Sequence, residues 1–148
     1  MEIKRILVPL DGSKPSFKAS IHAIDFAKKF DAELIALHVI DPRYKDLGMA
    51  ISPKSARSRE IKAKVREESE KIVDKVRQNA AQKDVNISMD VIDGYTSVVS
   101  DIVGYAKVNN VDLIVIGSRG MAGFKKLLIG SVASGVLSYA HCPVLIVK

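Results

Sequence analysis

The chain has 148 residues, 47% apolar and 27% charged, with a net charge of +6. That length fits one domain over residues 1–148, with the composition of an ordinary globular protein. No apolar run approaches the roughly 20 residues of a membrane span, no secretory leader pattern is read at the start, and the single Cys142 cannot close an internal disulfide. Together these predict a cytoplasmic protein.

Short apolar runs alternate with helical patterns along the chain. The first run, residues 3–10, contains Ile6, Leu7 and Val8 and leads into Asp11-Gly12-Ser13. Asp11 is either a turn residue or a ligand contact, and Ser13 is placed to cap the helix that follows. Phe17, Ile21 and Ile24 recur at helical spacing and predict that helix's apolar face. ELIALHVI, Glu33–Ile40, is the second strand, and His38 within it reads as a satisfied core residue. Residues 41–53 contain Pro42, Gly48 and Pro53 and predict a long loop, a candidate lid over the strand ends.

Residues 54–82 predict a long helix, with Ile61, Val65, Ile72 and Val76 on one face. The excess charge lies here. Residues 43–83 hold twelve Lys/Arg and six Asp/Glu, and the rest of the chain has eleven of each. A basic segment can attract nucleic acid or acidic lipid. The acids interleave with the bases, however, and Glu60–Lys64 and Glu67–Lys71 have ion-pair spacing, so the expectation is a solvated helix with no nucleic-acid or membrane partner.

Residues 85–92 form the third strand. Val85, Ile87, Met89 and Val91 alternate with Asn86, Ser88 and Asp90, the pattern of a strand with one wet face. Val98, Ile102 and Ala106 mark a helix, residues 112–116 a fourth strand, Val132, Val136 and Tyr139 a last helix, and Val144–Val147 a fifth strand. Strands separated by helices predict an α/β fold with right-handed crossovers, a parallel sheet and helices on both faces. The first, second and fourth runs are continuously apolar, so they belong inside the sheet, and the order 3-2-1-4-5 satisfies this. The last strand is then an apolar edge. A second copy paired across it predicts a homodimer.

In such sheets ligands bind past the carboxyl ends of the strands, where the order reverses. Here that is the gap between the first and fourth strands. The fourth runs into GSRGMAG, with the spacing Gly117-x2-Gly120-x9-Gly130-Ser131. Glycines let the main chain approach a ligand, and successive amides cradle an anion. Ser131 is expected to cap the last helix, whose amino end favours phosphate. Arg119 can add a charged contact. No Walker A lysine or kinase signature is present, and Asp11 is the one acid expected at the site, so binding without efficient turnover is expected. A slow ATPase or phosphotransferase is the alternative. The three histidines and Cys142 make no metal set, and His141-Cys142 lacks the partners of a zinc site.

The chain resembles the universal stress protein family over essentially its whole length. ILVPLDGS, LHVID, Gly94, DLIVIGSRG, the glycine spacing and the closing HCPVLIV carry the resemblance. Its ATP-binding subgroup has G-x2-G-x9-G-[S/T], met here in full. The resemblance implies that Asp11 and the main chain of Val39 hold adenine and that Pro9 and Gly117 border the ribose. It implies that Gly120, Gly130, Ser131 and Val132, with Arg119, hold the phosphates. The implied ligand is ATP, or AMP or ADP in its place, with or without Mg²⁺, bound as a signal that an unidentified protein partner reads. The resemblance also implies dimerisation through the last strand. Tyr95-Thr96-Ser97 departs from the family, which often has Pro after the glycine.

Overall fold

Five runs of β-branched and aliphatic residues form one parallel sheet in a computed structural model that describes residues 1–43, 54–119 and 129–148. The elements are β1 (Arg5–Pro9), α1 (Lys14–Phe30), β2 (Glu33–Ile40), α2 (Ala56–Ala81), β3 (Ile87–Asp93), α3 (Val98–Val108), β4 (Leu113–Gly117), α4 (Ser131–Tyr139) and β5 (Val144–Val147). The strand order is β3-β2-β1-β4-β5, as the apolar patterns predict. The continuous runs β1, β2 and β4 are almost wholly buried, and alternating β3 is an edge. Of the expected lid over residues 41–53, residues 44–53 lie outside the described residues.

Successive side chains of a strand point to opposite faces, which splits the core in two. Ile6, Val8, Leu34, Ala36 and Val115 meet α1 and α2 on one face. Leu7, Ile35, Leu37, Ile114 and Ile116 meet α3 and α4 on the other.

The helices depart from their expected faces in an informative way. α1 buries Ser16, Ala19, Ser20, Ala23, Ile24 and Ala27, and Ile21 is 49% exposed. Small residues let the helix axis lie close to the sheet, and the large Ile21 is turned out. In α2, Ile61 is exposed while Ser69, Val73, Val76 and Ala80 are buried. In α4, Tyr139 is 74% exposed. β3 begins at Ile87 rather than Val85, because Asp84 is left-handed (φ 54) and Val85 gives its amide to Ala80 in closing α2. Of the two expected helix ion pairs, Glu67–Lys71 forms at 2.9 Å, and Glu60–Lys64 is not among those formed.

Candidate functional site

The switch point follows from hydrogen-bond parity. In a parallel ladder one residue's N–H and C=O point to the same neighbour, and alternate residues serve alternate sides. Lys4 C=O accepts from Glu33 and Leu10 N–H donates to Leu37, so even residues of β1 serve β2. Arg5 C=O accepts from Asp112, so odd residues serve β4. The next donor toward β4 after Leu7 would be residue 9, and Pro9 has no N–H. Accordingly β1 pairs with β4 only at Ile6–Leu113 and Leu7–Ile114, while its register with β2 continues to Pro9–Leu37. The two central strands part at their carboxyl ends because of one proline.

On the β1 side of the gap, Leu10 is followed by a tight turn. Asp11 is exposed, and its Oδ1 accepts from Ser13 N (2.9 Å) and Ser13 Oγ (2.5 Å). Gly12 takes φ +83, a conformation that suits glycine. Ser13 Oγ accepts from Ser16 N at 3.3 Å and caps α1, as expected. Asp11 therefore shapes the turn, the first of its two expected roles, at the β1 side of the gap.

On the β4 side, Gly117 is buried, and a Cβ there would meet the Pro15 carbonyl carbon and oxygen at 2.8 Å. Its small size lets the first turn of α1 lie against the end of β4. Ser118 N–H then donates to Val147 C=O (2.7 Å), and Ser118 C=O accepts from Gly130 N–H (2.7 Å). That second bond seats the start of α4 at the end of β4. Arg119 is half-buried. Gly120 falls outside the described residues.

The expected cap of α4 needs correction. Gly130 is the N-cap, and Ser131 is already the first helical residue, with no side chain among the described residues capping the end. The other three described helices each start with a serine whose Oγ takes an amide: Ser13, Ser55 and Ser97. The first helical bond of α4 runs from Ser134 N to Gly130 O, so the amides of Ser131, Val132 and Ala133 precede it. Such amides, with the helix dipole behind them, attract an anion. Gly130's own amide is occupied by Ser118, which removes it from the donors expected of it.

Val39 is 8% exposed near the end of β2, the strand on the other side of β1 from β4. His38 is half-buried and satisfied, its Nδ1 donating to Leu10 C=O at 2.7 Å. This contact has no signal in the sequence, since it depends on where Leu10 comes to rest. The signal for Pro9 was in the sequence, in its missing donor, and became readable once strand order was known. Burial, with Asp112's charge, pushes the Cys142 thiol up, as befits a packing residue. Among the described residues no three His, Cys, Asp or Glu gather as a metal site. Two surface grooves lie elsewhere, one between α2 and β3 and one beside Asp112 and His141 at the amino end of the sheet.

The family model described as the universal stress protein family matches residues 2–148. The chain belongs to the universal stress protein family. Universal stress protein MJ0531 of Methanocaldococcus jannaschii is 38% identical over 145 residues, covering 98% of this chain and 82% of that protein. The solved structure of MJ0577 superposes with a TM-score of 0.86 at 29% identity, covering 100% of this chain and 97% of the other. A universal stress protein from Archaeoglobus fulgidus, solved in complex with dAMP, has a TM-score of 0.70 at 19% identity and full coverage of both chains. At that identity it shows a shared fold. No helix among the described residues is long and apolar enough to cross a membrane.

Proposed function

We propose that this universal stress protein binds an adenine nucleotide, ATP first, across the gap between β1 and β4, and that the bound nucleotide serves as a signal rather than a substrate. The observation that carries the reading is the start of α4, where three main-chain amides have no cap among the described residues, at the place where the central strands part. The Gly117-x2-Gly120-x9-Gly130-Ser131 spacing and a dAMP-bound relative of the same fold support it. In this reading Ser131 and Val132 hold phosphate through their amides, and Arg119 adds charge. Gly130 leaves the helix end without a competing side chain, and Gly120 extends the cradle. Pro9 and Gly117 border the ribose. Asp11 and the main chain of Val39 face the base, away from the phosphates that a carboxylate would repel. Mg²⁺ would accompany the phosphates. Asp11 Oδ1 is tied to Ser13, a poor arrangement for a base that activates water, and this favours binding over turnover.

Thermal shift tests the reading. A ligand at 100 times its Kd adds about 2.7 kcal/mol, and a chain of this size gains about 2–4 °C per kcal/mol. The expected result is a rise of several degrees with millimolar ATP. No shift with ATP, ADP or AMP counts against the site.

A second reading concerns assembly. Leu145 on edge strand β5 is 36% exposed and Leu137 on α4 is 49% exposed. A second copy paired along β5 would cover both and supply the missing ladder partners. Light scattering behind size exclusion should give twice the chain mass, and Leu145→Lys should halve it.

A further inference from the structure

The bond between His38 and Leu10 bears on which main-chain groups face the gap. Glu33 N–H donates to Lys4 C=O and Leu37 C=O accepts from Leu10 N–H, so odd residues of β2 serve β1. Even residues serve β3, as Leu34 N–H to Asn86 and Ile40 C=O from Gly94 show. Val39 therefore directs its N–H and C=O to the β1 side. Had the ladder run one residue further, Val39 N–H would donate to Leu10 C=O. It does not: the register ends at Pro9–Leu37, and Leu10 C=O is taken by His38 Nδ1 instead. Among the described residues no hydrogen bond uses the Val39 amide.

We infer that His38 is a positioning residue that occupies the Leu10 carbonyl and so keeps the N–H and C=O of Val39 open for a nucleobase edge. The inference rests on the nucleotide reading above for its ligand, and on the hydrogen bonds alone for its mechanism. A carbonyl only accepts, so the ring carries its proton on Nδ1. An aliphatic residue at 38 would offer Leu10 no donor. A buried carbonyl seeks a partner, and the nearest in ladder geometry is Val39 N–H. Val39 would then close onto β1, and one base-reading donor would be lost. The same bond also fixes Leu10 directly before Asp11, so one side chain sets two parts of the base site.

The test compares three proteins: wild type, His38→Leu, and His38→Asn, whose amide nitrogen stands where Nδ1 does. Should His38→Leu fail to fold, His38→Gln replaces it, because its amide reaches toward the Nε2 position instead. Calorimetry with ATP reads the affinity. Amide hydrogen exchange without nucleotide reads the Val39 ladder bond. His38→Leu should weaken ATP binding about tenfold and raise protection of the Val39 amide, while His38→Asn matches wild type in both. A His38→Leu protein with wild-type affinity and unchanged Val39 protection overturns the inference, as does a His38→Asn protein as weak as His38→Leu. If wild type binds no ATP, ADP or AMP, the nucleotide reading fails. The exchange of Val39 still decides whether His38 holds the ladder open.

Discussion

Helices α1 and α4 start at the same end of the sheet, on either side of the parted strands, and they start in opposite ways. α1 is closed by its own residues. Its first helical bond runs from Phe17 N to Ser13 O, leaving three earlier positions. Pro15 has no N–H, and Ser16 N–H is taken by Ser13 Oγ, so only Lys14's amide remains. α4 begins on a glycine, and its three first-turn amides meet no side-chain cap among the described residues. Two helices of one layered fold thus treat the same physical problem differently, the unsatisfied amino end. One satisfies it internally and serves the fold. The other has no such cap among the described residues, and the proposed nucleotide would satisfy it.

The most forceful way to break this contrast is to give α4 the cap it lacks. Gly130→Asp should raise the stability of the nucleotide-free protein by a few tenths of a kcal/mol, through the cap and the dipole. The same carboxylate should lower ATP affinity at least about a hundredfold, by occupying the amides and repelling phosphate. Opposite signs from one substitution, read by urea unfolding and calorimetry, would set α4 apart from an ordinary helix start. Next in size is Gly117→Ala, which pushes a methyl group into the Pro15 carbonyl and prises α1 from β4. It should cost about 2 kcal/mol, seen as a lower urea midpoint. Ser13→Ala removes the internal cap of α1 and should cost about 1 kcal/mol by the same measurement.

The smallest effect lies far from both helix starts. The Lys71 ammonium, through its bond and its charge, holds the Glu67 carboxyl below its ordinary value. A depressed carboxylate contributes stability above its unfolded pKa and loses it as pH falls through the folded one. This pair is fully exposed, so Glu67→Gln should leave the urea midpoint unchanged. NMR titration should still find Glu67 titrating low, and Lys71→Met should return it to the usual carboxylate range.

Much of this was legible in the chain itself. Continuous apolar runs read as interior strands and the alternating β3 as an edge, and the order 3-2-1-4-5 satisfies both. That order located the gap, and the glycine spacing suggested which side of it a phosphate would take. What stayed hidden depended on close approach. α1 packs through Ser16, Ala19 and Ala23, so the large residue Ile21 pointed to the wrong face. Asp84 and Val85 belong to the closure of α2, though their neighbours read as strand. Ser131 read as a cap because serine is a favoured N-cap residue, yet Gly130 takes that place, with no side-chain cap among the described residues. His38 read as a satisfied core residue, and only its partner revealed that it replaces a ladder bond.

A backbone amide NMR titration with ATP reads directly where the nucleotide sits. The largest shifts are expected at Ser131, Val132 and Val39, with Ser16 at the capped start of α1 barely moving. Shifts confined to the α1 start or to the α2–β3 flank, with Ser131 and Val132 unmoved at saturating nucleotide, would contradict the proposed site.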